Sequence, residues 1–303
     1  MVSTASLFPD EVFNESLAPW TSWHVGGMAE RFYSPTSIEL LSKYLSSLPE
    51  NMPVTWLGLG SNVLIRDAGI KGAVIGTRKM QDLYQREDGA IVAHAGVTCA
   101  KLARFCSRLS FADAAFFAGI PGTVGGALAM NAGAFGGETW EWVESVTVMN
   151  RQGDCQVLTP KDYHIGYREV KANAQASMGT MFVEGVFRFK SCENVDGMKH
   201  IRELLRKRSQ SQPIGTLNCG SVYRNPPGEF AARLIEGCQL KGYRVGDAMV
   251  SPKHANFIIN CDKARAQDIE MLMATIESTV EEKFGIRLQA EVKILGEAPK
   301  DAE

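Results

Sequence analysis

One run of this chain is compatible with few folds. It reads Ala118-Gly119-Ile120-Pro121-Gly122-Thr123-Val124-Gly125-Gly126-Ala127-Leu128-Ala129-Met130-Asn131-Ala132-Gly133-Ala134-Phe135-Gly136-Gly137, in which seven of twenty residues are glycine and none is charged. A backbone without Cβ atoms can lie against a neighbour or a ligand at close range. Residues Val124 to Asn131 are suited to start a helix, whose free N–H groups and dipole favour phosphate. The run therefore reads either as a tightly packed structural turn or as a phosphate cradle. It is not a Walker A loop, because no Gly-Lys-Ser/Thr follows. It is not the dinucleotide fingerprint either, because the spacing differs and the run lies far from the N-terminus.

With 303 residues, the chain can bury a large core divided into two or three domains. A net charge of −2 gives no support for nucleic-acid binding. Gly, Pro or charge breaks every apolar stretch well short of a membrane span, and Met1-Val2-Ser3-Thr4 begins no signal peptide. The seven cysteines, Cys99, Cys106, Cys155, Cys192, Cys219, Cys238 and Cys261, form no CxxC or Cys/His cluster, and the histidines show no ligand spacing. No metal site is expected. Unpatterned thiols fit a reducing cytoplasm, each as a small apolar side chain.

Local patterns divide the chain into three α+β units, residues 1–80, 81–194 and 195–303. In the first, Ser34-Pro35-Thr36-Ser37 offers helix caps before Ile38, Leu41 and Leu45 at helical spacing. The strand Pro53–Leu57 follows, then short strands at Val63–Ile65 and Ala73–Ile75. The second unit opens with a strand at Ala90–Ala93 and a helix capped by Thr98, with Leu102, Phe105, Cys106 and Leu109 inward. Val146–Met149 and Gln156–Leu158 flank Asn150-Arg151-Gln152-Gly153-Asp154 as a hairpin, and Val183, Phe187 and Phe189 alternate as a half-buried strand. The third unit has a helix over 195–209, with Val195, Met198, Ile201, Leu204 and Leu205 inward. A strand is expected at Asn256–Ile259. A second helix spans 266–284, with Ile269, Leu272, Met273, Ile276 and Val280 inward and Gly285 as its C-cap.

A second glycine loop, Gly58-Leu59-Gly60-Ser61-Asn62, ends a strand, a common place for a ligand and also for an ordinary tight turn. Two such loops suggest a ligand with an extended pyrophosphate, such as a dinucleotide cofactor. In the third unit, Asn218-Cys219-Gly220-Ser221-Val222-Tyr223-Arg224-Asn225 places a serine beside Arg and Asn without a Gly-x-Ser-x-Gly elbow. Ser221 reads as a loop hydrogen-bonder or a proton donor. Upstream, Lys199, Arg202, Arg206, Lys207 and Arg208 suit a helix C-terminus, and one or two of them could grip phosphate. Tyr167-Arg168 and Glu291 draw no attention on chemical grounds. These residues alone lead to a cytoplasmic protein with a phosphate-rich cofactor, and to no particular reaction.

The order of motifs resembles the UDP-N-acetylenolpyruvoylglucosamine reductases of bacterial cell-wall synthesis, over nearly the whole chain. Thr21-Ser22-Trp23-His24-Val25-Gly26-Gly27 is similar to the opening motif of that family. Leu57–Leu64 and Gly119–Gly126 resemble its two FAD loops, and Met130–Gly136 continues the second. Ile165-Gly166-Tyr167-Arg168 resembles its active-site arginine segment, Gly220–Pro226 its serine motif and Gln289-Ala290-Glu291-Val292 its closing glutamate motif. His254–Asn260 completes the third domain. The two FAD loops are shared with a broad flavin superfamily, whereas the ordered set with the later motifs is specific. Arg224 stands where the family usually has Lys, and Glu169-Val170-Lys171 where it often has Ser. The short segment between Arg168 and Ser221 is similar to the compact form of the family, without an inserted tyrosine-bearing loop.

The resemblance implies an α+β chain with a two-subdomain FAD-binding fold of the vanillyl-alcohol-oxidase/PCMH type and a C-terminal substrate domain. It implies non-covalent FAD, NADPH as reductant and UDP-N-acetylglucosamine enolpyruvate as substrate, with no obligatory protein partner. Gly58, Leu59, Gly60, Ser61, Asn62, Gly119, Ile120, Pro121, Gly122, Gly125, Gly126, Asn131 and Gly133 match cofactor-binding positions. Arg208, Arg224 and Asn225 match substrate contacts. Arg168 and Glu291 match residues that stabilise an enolate, and Ser221 matches the proton donor to the α-carbon. A carboxylate beside an enolate helps only if it is protonated or acts through a neighbour.

Overall fold

The computed structural model describes residues 8–173, 181–191 and 196–297. Contacts gather these into two compact units whose segments alternate along the chain. Met1–Val12, Arg31–Gly58 and Ala73–Lys207 form one; Phe13–Glu30, Leu59–Gly72 and Arg208–Glu303 form the other.

The first unit is built on a five-stranded antiparallel sheet in the order Cys155–Leu158, Val143–Met149, Met181–Phe187, Ile91–His94, Leu83–Gln85. The hairpin falls where the turn residues put it, with Val146 opposite Leu158 and Met149 opposite Cys155. Asn150 sets the turn, since its Oδ1 accepts from the Gln152 and Asp154 N–H groups. Helix Cys99–Arg108 begins at Thr98, whose hydroxyl accepts from Lys101 N–H. Its Leu102, Ala103 and Cys106 pack with Val124, Leu128, Phe117 and Phe187 in one core. A second core surrounds helix Ile38–Ser47, where Leu41, Tyr44 and Leu45 meet Ile75, Met149 and Val183. The buried Glu11 carboxylate accepts from Tyr44 Oη at 2.6 Å and Arg31 Nε at 2.7 Å. A charge this deep is tolerated because it is paired and hydrogen-bonded.

In the helix Gly197–Ser211, Ile201 is buried and Met198 and Leu204 pack at the edge of the core, but Leu205, expected inward, is exposed. A helix turns 100° per residue, so Leu204 and Leu205 cannot both face the same partner. Val195 and Cys192 lie outside the described residues. The expectation of a short segment between Arg168 and Ser221 falls partly on 174–180 and 192–195, also outside them.

The second unit pairs a four-stranded antiparallel sheet, Leu217–Asn218, Ile258–Asn260, Ala248–Val250, Arg244–Val245, with the helix Ala266–Phe284. Ile269, Leu272, Met273, Ile276 and Val280 are all buried, and Gly285 ends the helix at φ +66°. Two chain-distant segments complete its core. Trp23 is fully buried and donates Nε1–H to Ile258 O at 2.8 Å, and Val63–Ile65 pairs in parallel with Lys293–Leu295. The Asp67 carboxylate accepts from the first amides of the helix, Ala266 and Gln267, at 3.1 and 3.0 Å. Among the described residues no helix is long and apolar enough to cross a membrane.

Candidate active site

In the first unit Gly58 lies against the longer glycine run. A Cβ on Gly58 would lie 2.7 Å from Thr123 Oγ1, and one on Gly125 would lie 2.9 Å from Ala95 Cβ. Residues with side chains would force these segments apart. Arg78, half-buried, donates Nε–H to Gly58 O at 3.3 Å, and burial lowers the pKa of its guanidinium. The residues 124–130 do form a helix, Val124–Met130. Its first amides are not open to a phosphate: Val124 N–H donates to Val97 O at 2.8 Å and Gly125 N–H to Ala95 O at 3.0 Å. The expectation of free helix-start donors fails at these two positions, because the loop docks on the strand end beside it. Gly122 O accepts from Cys99 N–H, Ile120 N–H bonds to Phe117 O, and Pro121 is exposed.

Thr123 carries what the glycines leave behind. Its hydroxyl is buried and has no hydrogen-bond partner among the described residues. It lies between Gly58 and Gly126, the two positions where Cβ atoms are missing. An orphaned buried hydroxyl beside a cradle of glycines is what a polar cofactor group would satisfy. The residues present therefore fit a bound FAD. The sequence motif contained Thr123, but only its burial separates it from its neighbours.

Past the helix, Asn131 takes the left-handed conformation, φ +44°, as the C-cap. Its buried side chain is committed within the unit: Nδ2 donates to Glu138 Oε2 at 2.8 Å and Gly166 O at 3.1 Å, and Oδ1 accepts from Trp140 N–H at 3.1 Å. Gly133 pairs with Glu138 in a small hairpin, and a Cβ there would lie 2.5 Å from Gly137 O. Arg168 sits in the two-residue turn of the hairpin Tyr163–Gly166 and Glu169–Ala172, at φ +56°. A left-handed backbone costs an L-residue bearing a Cβ about 1–2 kcal/mol, so the turn is held by its surroundings. The Arg168 guanidinium donates to Asn131 O at 3.4 Å and Gly133 O at 3.3 Å, and lies 5.1 Å from the Tyr167 ring centre.

In the second unit, Gly60 adopts φ +67°, and a Cβ there would lie 2.0 Å from Trp20 O; its own carbonyl accepts from Ser22 N–H. Ser61 and Leu59 are half-buried beside it. Asn62 Nδ2 donates to Glu291 O at 3.1 Å, and Asn62 O accepts from Lys293 N–H. The loop and the glutamate segment are thus one assembly.

Ser221 and Glu291 are brought onto neighbouring chain segments. Tyr223 forms an antiparallel bridge with Ala290, Glu291 N–H donates to Val222 O at 2.7 Å, and Arg224 N–H donates to Gln289 O at 2.9 Å. Asn256, 4 % exposed, clamps the serine strand from its other side: Oδ1 accepts from Tyr223 N–H at 2.9 Å and Nδ2 donates to Tyr223 O at 2.8 Å. Gly220, at φ +80°, turns the chain into Ser221. Burial, with the Glu291 charge second, pushes the Cys219 thiol well above its usual range. Asn225 Oδ1 accepts from Ala231 N–H, and Arg208 donates Nε–H to Gln212 Oε1 at 2.5 Å, with burial lowering its pKa. Asn256 lay inside an expected strand, and only its bonds to Tyr223 single it out.

Residues 29–159 match the family described as "FAD binding domain", and residues 212–295 match "UDP-N-acetylenolpyruvoylglucosamine reductase, C-terminal domain". The UDP-N-acetylenolpyruvoylglucosamine reductase of Coxiella burnetii (strain Dugway 5J108-111) is 50% identical, with 92% of this chain and 94% of the relative covered. That of Methylococcus capsulatus is 48% identical, with coverage of 94% and 93%. The crystal structure of the reductase from Thermus caldophilus superimposes with a TM-score of 0.77 at 30% identity, covering 94% of this chain and 98% of that one. On these grounds the chain belongs to the UDP-N-acetylenolpyruvoylglucosamine reductase family.

Proposed function

We propose that this chain reduces UDP-N-acetylglucosamine enolpyruvate to UDP-N-acetylmuramate with NADPH, and that Arg168, Ser221 and Glu291 carry the chemistry. FAD, when bound, supplies the hydride chemistry and takes its reducing equivalents from NADPH. The glycine loops Gly58–Asn62 and Gly119–Gly126 would hold it, with the Thr123 hydroxyl as a polar partner. Asn131 contributes through the shape it imposes, since its side chain is already committed, and Gly133 through the close approach it permits.

As negative charge grows on the substrate, the Arg168 guanidinium stabilises it, because a preplaced cation gains most where charge develops. Glu291 acts on the same charge as a protonated acid or through a neighbour. Ser221 holds the proton that goes to the α-carbon. Arg208 and Arg224 are suited to phosphate or carboxylate, Arg224 with a planar fork in place of a compact ammonium; Asn225 lies one residue further on. A cytoplasmic location accords with NADPH as reductant and with the described cysteines, Cys99, Cys106, Cys155, Cys219, Cys238 and Cys261, being free thiols.

The observation that supports this reading best is the antiparallel bridge between Tyr223 and Ala290, which sets the Ser221 and Glu291 segments side by side. It is tested by following the visible spectrum of the purified protein through NADPH and then the enolpyruvate, without oxygen. Flavin bands that bleach and then return support both half-reactions. A protein that is colourless and takes up no FAD removes the cofactor, and bleaching without return points to a different acceptor.

A further inference from the structure

The Arg168 turn raises a physical question: what keeps a long, flexible cation in one place. Its guanidinium rests on two carbonyls, Asn131 O and Gly133 O, at 3.4 and 3.3 Å. Its backbone is left-handed at φ +56°, one residue beyond Tyr167 in a tight hairpin turn. A left-handed residue in a tight turn keeps its place through its surroundings, and these two carbonyls and the Tyr167 ring are part of them.

The support converges on one side chain. Glu138 Oε2 accepts from Asn131 Nδ2 at 2.8 Å, and the same Nδ2 donates to Gly166 O at 3.1 Å, at the mouth of the arginine turn. Glu138 also pairs through its backbone with Gly133, whose carbonyl holds Arg168. Its backbone N–H donates to Glu141 Oε2 at 3.4 Å, at the start of the turn Thr139–Glu141. Both carbonyls that seat the guanidinium therefore belong to residues that Glu138 touches, one through its side chain and one through its backbone.

We propose that Glu138 is a positioning residue for the enolpyruvate half-reaction: through Asn131 it fixes the turn that presents Arg168. The inference rests on the role given to Arg168 above. Glu138 touches no reacting atom. As an acceptor-only carboxylate it points the Asn131 amide donors outward and so settles which side of that amide faces Gly166. Loss of that acceptor leaves the amide on Gly166 O and Trp140 N–H alone and loosens the turn it braces. A displacement of about 1 Å in a reacting group costs up to about 100-fold in rate.

The test is a double-mutant cycle read on the separate half-reactions. E138A is expected to retain its flavin and its reduction by NADPH, while reoxidation by the enolpyruvate slows about 10- to 100-fold. E138Q can still accept from Asn131 and should recover most of that rate, and it serves if E138A folds poorly. In an R168A background, E138A should cause no further loss. Amide hydrogens of residues 166–169 should exchange faster in E138A, a readout independent of turnover. An additive loss in the R168A background, or unchanged exchange in the turn, overturns the role of Glu138 and leaves that of Arg168 standing. Full reoxidation activity in R168A alone removes the arginine from the chemistry, and this inference with it.

Discussion

Each unit fixes the segment of a proposed catalytic residue with one buried asparagine, and the two are used differently. Asn256 makes a reciprocal pair with a single backbone unit, Tyr223 N–H and C=O. Around it the serine strand has further backbone support, since Val222 N–H bonds to Asn256 O and the bridge to Ala290 lies on the other side. Asn131 instead divides its amide among three different elements, Glu138, Gly166 and Trp140. Among the described residues, the Arg168 turn that it serves has no sheet partner beyond its own two strands. Backbone ladders are stiff and redundant; a side-chain junction can be lost at one atom. The Ser221–Glu291 pair should therefore tolerate second-sphere changes that the Arg168 turn does not.

The largest effect tests the reacting groups on both sides of this comparison. Ser221→Ala should keep FAD and its reduction by NADPH while enolpyruvate turnover falls about 10²–10⁴-fold. Stopped-flow reoxidation measures it, and unimpaired turnover would strip Ser221 of its role. Arg168→Ala should lose about 10²–10³-fold in the same step, and Arg168→Lys should recover only part, because an ammonium cannot span two carbonyls as the fork does.

Smaller effects separate the two asparagines. Asn256→Ala leaves two buried backbone groups of Tyr223 without partners, at about 1–3 kcal/mol each. Its signature should be a lowered melting temperature, with turnover per folded molecule close to normal. Asn131→Ala should show the reverse balance, with turnover falling further than the melting temperature. Equal behaviour of the two variants would abolish the distinction between ladder and junction.

The smallest expected effect is on cofactor retention. Gly58→Ala places a methyl group 2.7 Å from Thr123 Oγ1, so the purified protein should hold less flavin. Adding Thr123→Ala relieves the contact and should restore thermal stability without restoring full flavin content. Recovery of both would mean that the hydroxyl serves packing alone.

Helices and hairpins were legible wherever near neighbours decide them. The cap at Thr98, the turn around Asn150 and the apolar stripe from Ile269 to Val280 all depend on residues a few positions apart, and each is present. The strands Val12–Ser16 and Met28–Tyr33 went unread, as did the hairpin that presents Arg168. Mixed, partly exposed residues in those segments give no clean alternation. Of the site, the glycine loops stand out by composition, whereas Arg168 and Glu291 are ordinary residues that resemblance alone brought forward.

The sequence by itself determined the glycine loops, the order of the motifs and the family, because these lie in contiguous residues. The tertiary structure alone decided which groups hold them. Trp23 reaches Ile258 across 235 positions, Asn62 reaches Glu291 across 229, and Asn131 reaches Gly166 across 35. It also decided that the helix start at Val124 spends its amides on Val97 and Ala95, and that the buried Thr123 hydroxyl has no hydrogen-bond partner among the described residues. A hydrogen bond depends on where two atoms lie in space, and distance along the chain does not record that.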